Sequence, residues 1–353
     1  MENNLTRSDK ITGFARINRV IKGLGAPEVT VIRNMIQVGW AIFLLYIGWR
    51  FYLFVRYFET MGATRYVSRP PAVEGFLPIS ALVSLKSWLG GGGFDRIHPA
   101  GLAIFLGIVL ISLLFKKGFC SWFCPVGTLS EALGRLGGKL FGRNLRLPKF
   151  LDYPLMAVKY LILGFFVKVI LVDMSALVAQ GFQQSPYNKI ADVKMLQFFL
   201  QISQSAAAIL LALAFLSLVV RNFWCRYLCP YGALLGIAAL ISPFKITRDA
   251  RSCTSCGLCN KACPNRINVA ESGRVWSPEC TSCLRCTEVC PTKALSYTGP
   301  GRRVTINPRF YPIFLFGVYL LVVAVAQITG HWQTSLTAAD YRELIPQAAW
   351  FGH

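Results

Sequence analysis

The chain has 353 residues, 54% of them apolar and only 15% charged, with 37 Lys+Arg against 16 Asp+Glu and a net charge of +21. A soluble protein carries about 25% charged residues, and the mean hydropathy here is +0.48. These values exclude a soluble enzyme built on one large core and point to an integral membrane protein. The basic excess suggests nucleic acid at first sight. In a membrane protein, however, Lys and Arg collect on cytoplasmic loops and face anionic lipid, so lipid and not nucleic acid is the expected partner.

Residues 1–34 are polar and basic and hold no apolar h-region, which reads as a cytoplasmic segment without a signal peptide. Apolar runs near 35–55, 97–115, 153–172, 196–220 and 310–329 then predict five spans. Each run reaches about 30 Å at about 1.5 Å per residue, the thickness of a bilayer core. With the N-terminus inside, 26 of the 37 basic residues fall on inner segments and 8 on outer ones. The positive-inside rule therefore selects a multi-pass protein of the bacterial cytoplasmic membrane with a periplasmic C-terminus. Two shorter apolar stretches, 75–89 and 230–243, read as interfacial or re-entrant helices. The predicted organisation is a membrane domain over 35–245, a cytoplasmic insert over 246–304, and a fifth span with a short tail over 305–353.

All twelve cysteines lie between residues 120 and 290. Eight form two copies of C-x2-C-x2-C-x3-C-P, starting at Cys253 and Cys280, 27 residues apart. This is the two-cluster ferredoxin spacing, in which the fourth Cys of each run ligates the other cluster. Cys253, Cys256, Cys259 and Cys290 are thus predicted to hold one [4Fe–4S] cluster, and Cys280, Cys283, Cys286 and Cys263 the second. Zinc sites use paired cysteines, and disulfides do not suit the cytoplasmic side. The fold class expected is an α-helical, five-span membrane protein with an inserted α+β two-[4Fe–4S] domain.

The other four cysteines make a second repeat. Phe119-Cys120-x3-Cys124-Pro125-x-Gly127 and Trp224-Cys225-x3-Cys229-Pro230-x-Gly232 lie 105 residues apart, each just after a span running inward. An internal duplication of the membrane half accounts for this. Three readings stay open for the four thiols: a further cluster or metal site, a redox-active thiol set, and a structural turn. In a helix, Cys at i and i+4 sit about 5–6 Å apart at Cβ, too far for a disulfide, which wants about 3.5–4.5 Å.

Paired C-x3-C-P motifs on membrane spans followed by a two-cluster ferredoxin segment resemble the NosR/NapH/CcoG-type membrane polyferredoxins. The resemblance covers roughly residues 35–330. Arg69-Pro-Pro71, Glu74 to Ile79 and Asp95 to Gly101 look most like the NosR-like branch. It implies electron transfer between the quinone pool or a cytoplasmic donor and a periplasmic redox partner. Metalloenzyme maturation or metal reduction is the alternative, as is a redox sensor or scaffold. Only 34 residues precede the first span and about 24 follow the last. A flavin- or haem-containing periplasmic partner is therefore expected as a separate subunit.

There is no C-x-x-C-H, so no c-type haem is expected. A quinol oxidised at the outer face needs a proton acceptor, and His suits that task. Of the three histidines, His98 and His331 lie near the outer ends of spans, and His353 is terminal. His98, His331, Arg50 and Gln201 are the candidates for such a site, with Gln201 on a Gln197–Gln201–Gln204 stripe. No P-loop, dinucleotide glycine pattern or catalytic triad is present.

Overall fold

The computed structural model describes residues 28–351; the N-terminal segment 1–27 and the last two residues, Gly352 and His353, lie outside the described residues. The architecture is mostly helical. Helix α1, Glu28–Glu59, is followed by a 3-10 turn at Pro71–Phe76 and by α2, Pro78–Ser87. Next come α3, Pro99–Phe115, the short α4, Gly118–Trp122, and α5, Pro125–Leu140. Helix α6, Lys149–Phe166, runs on through a wide turn to Asp173, ahead of α7, Ala176–Gln183, and α8, Pro186–Lys189. Helices α9, Ala191–Leu200, and α10, Gln204–Val219, precede α11, Pro230–Ile241. Proline at the first helical turn starts α2, α3, α5, α8 and α11, where its missing N–H costs nothing and its fixed φ favours the helix.

The cysteine-rich segment is bracketed by strands. Strand β1, Lys245–Arg248, pairs antiparallel with β2, Leu295–Thr298, in register from Lys245 opposite Thr298 to Arg248 opposite Leu295. The short β3, Thr305–Ile306, adds to the far edge of β2. Two short helices, α12, Leu258–Ala262, and α13, Arg285–Glu288, lie between β1 and β2, one in each cysteine run. Helix α14, Tyr311–Ile328, then returns to the bundle, and α15, Ala338–Leu344, is followed by a last 3-10 turn, Ala348–Trp350.

Two packed regions sit at the two ends of α1. One joins Ile111, Phe115, Trp122, Tyr311 and Leu315 of the helices to Ile246 and Tyr297 of the strands. The other gathers Phe51, Phe54 and Phe58 of α1 with Val73, Ile190, Val193 and Tyr341. Between them α3 is the innermost helix, apolar throughout and buried along most of its length.

The span expectations need adjustment. Three helical stretches are long and apolar enough to cross a membrane: Val29–Glu59, Lys149–Asp173 and Tyr311–Ile328. The first begins well before residue 35, because Glu288 caps it: its carboxylate accepts the N–H groups of Val29 at 2.7 Å and Thr30 at 3.2 Å. The expected second span, 97–115, is a 17-residue helix, about 25 Å long. The expected fourth span, 196–220, is not one straight helix. It breaks at Gln201–Ser203, and α9 and α10 meet at 81°. Ser203 causes the restart, since its hydroxyl accepts the Ala206 N–H and caps α10. Counting the bent pair as one span gives four.

Candidate iron–sulfur centres

The two ferredoxin-like runs fold alike at the backbone. Positive φ recurs at the same step of each: Ser255 and Ser282, Gly257 and Leu284, Arg266 and Lys293. Each pair is 27 residues apart. Left-handed residues at these points curl each loop around a space instead of letting it run on as a helix. Cys253, Cys256, Cys259 and Cys290 line one hollow. Cys263, Cys280, Cys283 and Cys286 line a second. The hollows adjoin, for the short helices α12 and α13 that carry Cys259 and Cys286 pack together, and both cysteines belong to one packed cluster. They differ in exposure: Cys256 is exposed, whereas Cys280 and Cys286 are buried.

The donor chemistry fits a multi-atom cluster. Burial, reinforced by the thiols of Cys283 and Cys280, pushes the Cys263 thiol up to about 12. Thiols this buried are inert as nucleophiles and suit a metal that takes up their charge. Among the described residues no three His, Cys, Asp or Glu side chains converge on a single metal ion. The cysteines are spread around hollows instead, as a cube of iron and sulfide requires.

The second hollow is clamped to the helices. Ser121 Oγ donates to the Thr281 carbonyl at 2.7 Å, and Trp122 Nε1 to that of Ser282 at 3.1 Å. Glu131 of α5 pairs with Arg33 of α1 at 2.7 Å and with Arg285 of α13 at 3.4 Å. Lys159 of α6 holds both oxygens of Glu279 at 2.7 Å, and Lys117 lies 3.6 Å from the same carboxylate. Arg226 grips Asp152 through two bonds, at 3.0 and 2.6 Å, and donates to the Asn265 carbonyl at 2.8 Å. Lys159 is fully buried, not a lysine that reaches out to the membrane surface. Sequence reading missed these partners because they are distant in the chain, from 39 residues apart for Arg226 and Asn265 to 160 for Trp122 and Ser282.

The C-x3-C-P repeats are also alike in structure. The Cys124 N–H donates to the Phe119 carbonyl and the Cys229 N–H to that of Trp224, both at 3.0 Å and both five residues back. This wide turn, which continues as a π-turn at Trp224–Leu228, replaces the ideal helical spacing. Each second Cys is a helix N-cap. Cys124 Sγ accepts the Gly127 N–H at 3.4 Å, and Cys229 Sγ accepts the Gly232 N–H at 3.2 Å. Gly127 cannot be larger, since a Cβ there would meet the Cys120 carbonyl oxygen at 2.3 Å. The two halves touch: Lys117, three residues before Cys120, donates from Nζ to the Gly232 carbonyl at 3.4 Å, three residues after Cys229. All twelve cysteines are free.

The outer-face candidates do not assemble as one group. His98 is buried, with Nε2 2.6 Å from the Asn188 carbonyl and Nδ1 3.6 Å from Glu74. Its neighbours are Glu74, Arg69 and Asp192; Arg69 pairs with Glu74 at 2.8 Å and with Asp192 at 2.7 Å. Arg50 instead donates to Ser68 at 2.9 Å on the exposed side. The His331 ring packs on Phe94, with Nδ1 2.9 Å from Thr329. Gln201 is exposed in the break between α9 and α10.

A putative electron transport protein of Escherichia coli K12, YccM, is 44% identical over 315 residues, covering 88% of each chain. The chain belongs to the NosR-like membrane ferredoxin-type proteins. This NosR-like chain is 35% identical over 169 residues to the regulatory protein NosR of Pseudomonas aeruginosa, spanning 47% of its own length and 23% of NosR. It is 30% identical over 198 residues to NirI of Paracoccus denitrificans, spanning 54% of its own length and 28% of NirI. A family model described as a 4Fe-4S dicluster domain matches residues 245–292, which hold both ferredoxin runs. One described as a 4Fe-4S binding domain matches 97–144 and 202–248, which hold the two C-x3-C-P motifs. No solved structure matches. The NosR-like chain is thus an electron transport protein with 4Fe–4S domains.

Proposed function

We propose that the chain is a bacterial inner-membrane electron carrier linking the quinone pool or a cytoplasmic donor to a periplasmic redox partner. The observation that carries this reading is the crossed grouping of eight cysteines around two adjoining hollows. Cys253, Cys256, Cys259 and Cys290 hold one [4Fe–4S] cluster, and Cys263, Cys280, Cys283 and Cys286 the other. Bound there, such clusters supply one-electron storage without bond-making chemistry. The exposed rim at Cys256 offers the approach for a soluble partner. The clamps from Ser121, Trp122, Lys159 and Arg226 hold the second set of thiols rigidly against the helices.

In this reading the innermost α3 and the bent α9–α10 pair complete five crossings. The basic segments then face the cytoplasm, where the positive-inside rule puts them. A quinol site lies at the far end of the bundle, around His98, Glu74, Arg69 and Asp192. The periplasmic partner is a separate flavin- or haem-containing subunit.

The test is rapid-mixing EPR on the purified, reconstituted protein. Addition of quinol should reduce the clusters within the partner's turnover time. Clusters that stay inert both to quinol and to a periplasmic acceptor would sink the proposal. Cys256→Ser and Cys283→Ser should each remove one cubane signal and leave the other.

A further inference from the structure

We propose that Arg33, Arg221 and Arg285 form a charge cradle that raises the redox potential of the [4Fe–4S] cluster assigned to the second hollow. The inference rests on the electron-carrier reading above and deepens it, by naming residues outside the ligand set that tune one of the two centres.

The first observation is the crowding of positive charge. Arg33 of α1, Arg285 of α13 and Arg221, just past the end of α10, all turn to one oxygen of Glu131, Oε1, at 2.7, 3.4 and 3.8 Å. The Gln37 amide donates to the other oxygen at 3.4 Å. Arg33 is completely buried and Glu131 nearly so. Arginine keeps its charge in proteins, so three guanidinium groups share one carboxylate. Glu288, in the same short helix as Arg285, is already occupied by the N–H groups of Val29 and Thr30 and by the Thr30 hydroxyl.

The second observation is a set of donors without acceptors. Arg33 Nε and Nη1 and Arg221 Nε are buried, and among the described residues they have no hydrogen-bond partner. Buried charge that is incompletely paired costs stability, and each orphaned donor calls for an explanation. An anionic group beside them supplies one.

The third observation is position. Arg285 is joined through the backbone to Leu284 and Cys286, and both line the second hollow with Ser282 and Cys283. Val29, one turn before Arg33, packs in the same buried cluster as Cys280, Leu284 and Cys286. Ser121 accepts from Gln37 through its carbonyl and reaches Thr281, another residue of that hollow, through its hydroxyl. The arginine set therefore backs the Cys283–Cys286 segment from the helix side.

Charge and exposure are among the factors that set the potential of such a centre. One-electron reduction adds one negative charge in the hollow. Burial alone disfavours that charge. Fixed guanidinium groups favour it, and away from water they are little screened. The first hollow opens at the exposed Cys256, where water screens the charges around it.

EPR-monitored potentiometric titration of the purified, reconstituted full chain tests the proposal, with the two signals told apart by Cys256→Ser and Cys283→Ser. Arg33→Gln should move the second cluster's reduction equilibrium about tenfold toward the oxidised form, a fall of about 59 mV for one electron. The first cluster should move less. Glu131→Gln removes a negative charge and should move the second cluster the opposite way. Arg33→Lys, with the charge kept, should titrate as wild type. Arg221→Gln lies nearer the surface, carries the same expected sign as Arg33→Gln, and serves where that variant does not fold. Potentials unmoved in the arginine variants overturn the proposal. So do equal shifts at both clusters, or shifts of one sign in Arg33→Gln and Glu131→Gln, which would mark structural disturbance. Failure of the electron-carrier reading shows elsewhere, as clusters that titrate in the electrode cell and stay inert to quinol.

Discussion

At the scale of single residues, the interior is governed by charges that the hydrophobic pattern does not reveal. Lys159 lies in an apolar run, where the ordinary local reading of a lysine is one that reaches out to the surface. Its partner Glu279 lies 120 residues away, so no local rule could find it. Removing one member of such a pair strands the other. Lys159→Met should lower stability by about 3–5 kcal/mol, read as a lower melting temperature of the detergent-solubilised protein. Adding Glu279→Gln should recover part of that loss. Glu131 gives a pH dependence. Burial works against its charge, but Arg33 beside it wins and holds its carboxyl below the usual range. A carboxyl depressed in the folded state contributes stability that is present above its ordinary value near 4.5 and lost as pH falls through the folded value. Acid unfolding curves of wild type and Glu131→Gln should therefore converge below pH ~4 and separate above it. Curves separated equally at all pH values would refute that coupling.

At the scale of elements, spacing was legible and bending was not. The C-x2-C-x2-C runs could be read directly, because loops this short fix their own geometry. The 105-residue repeat of C-x3-C-P was visible too. Its N-cap role was not, since that depends on the wide turn before Cys124 and Cys229. The break at Gln201–Ser203 escaped because hydropathy averages over a window and does not register direction. The Gln197–Gln201–Gln204 spacing looked like one helical face, yet it straddles the joint between α9 and α10. Close packing of α5 against α10 turns on Gly137, where a Cβ would meet the Leu218 carbonyl oxygen at 1.8 Å. Backbone cannot yield as a side chain can. Gly137→Ala should cost about 1–3 kcal/mol, as overpacking does elsewhere, and Gly164→Ala, which faces open space, should cost little. Equal melting temperatures for the two variants would contradict the contact.

At the scale of the whole molecule, the basic excess of the sequence becomes a statement about sides. The N-terminal turn of α1 is capped by Glu288 of the cysteine-rich segment, so these two parts share one face. Reporter fusions or impermeant thiol labelling in intact cells should place residues near Asn34 and residues near Arg251 on the same, cytoplasmic side. Opposite accessibility would refute the orientation. Spacing alone grouped eight of the twelve cysteines as they line the two hollows. How the two C-x3-C-P repeats touch needed the fold, since it depends on how two distant halves of the chain come together.

One difference between the two ferredoxin hollows also bears on how the protein ages in air. The set at Cys253–Cys290 includes the exposed Cys256, while the set at Cys263–Cys286 keeps Cys280 and Cys286 buried. Oxidative attack on thiolate ligands follows exposure. Damage should therefore begin at the surface and work inward, with the protein bleaching in two stages. The half-bleached species would be cut off from soluble partners while its membrane-side ligands stayed whole.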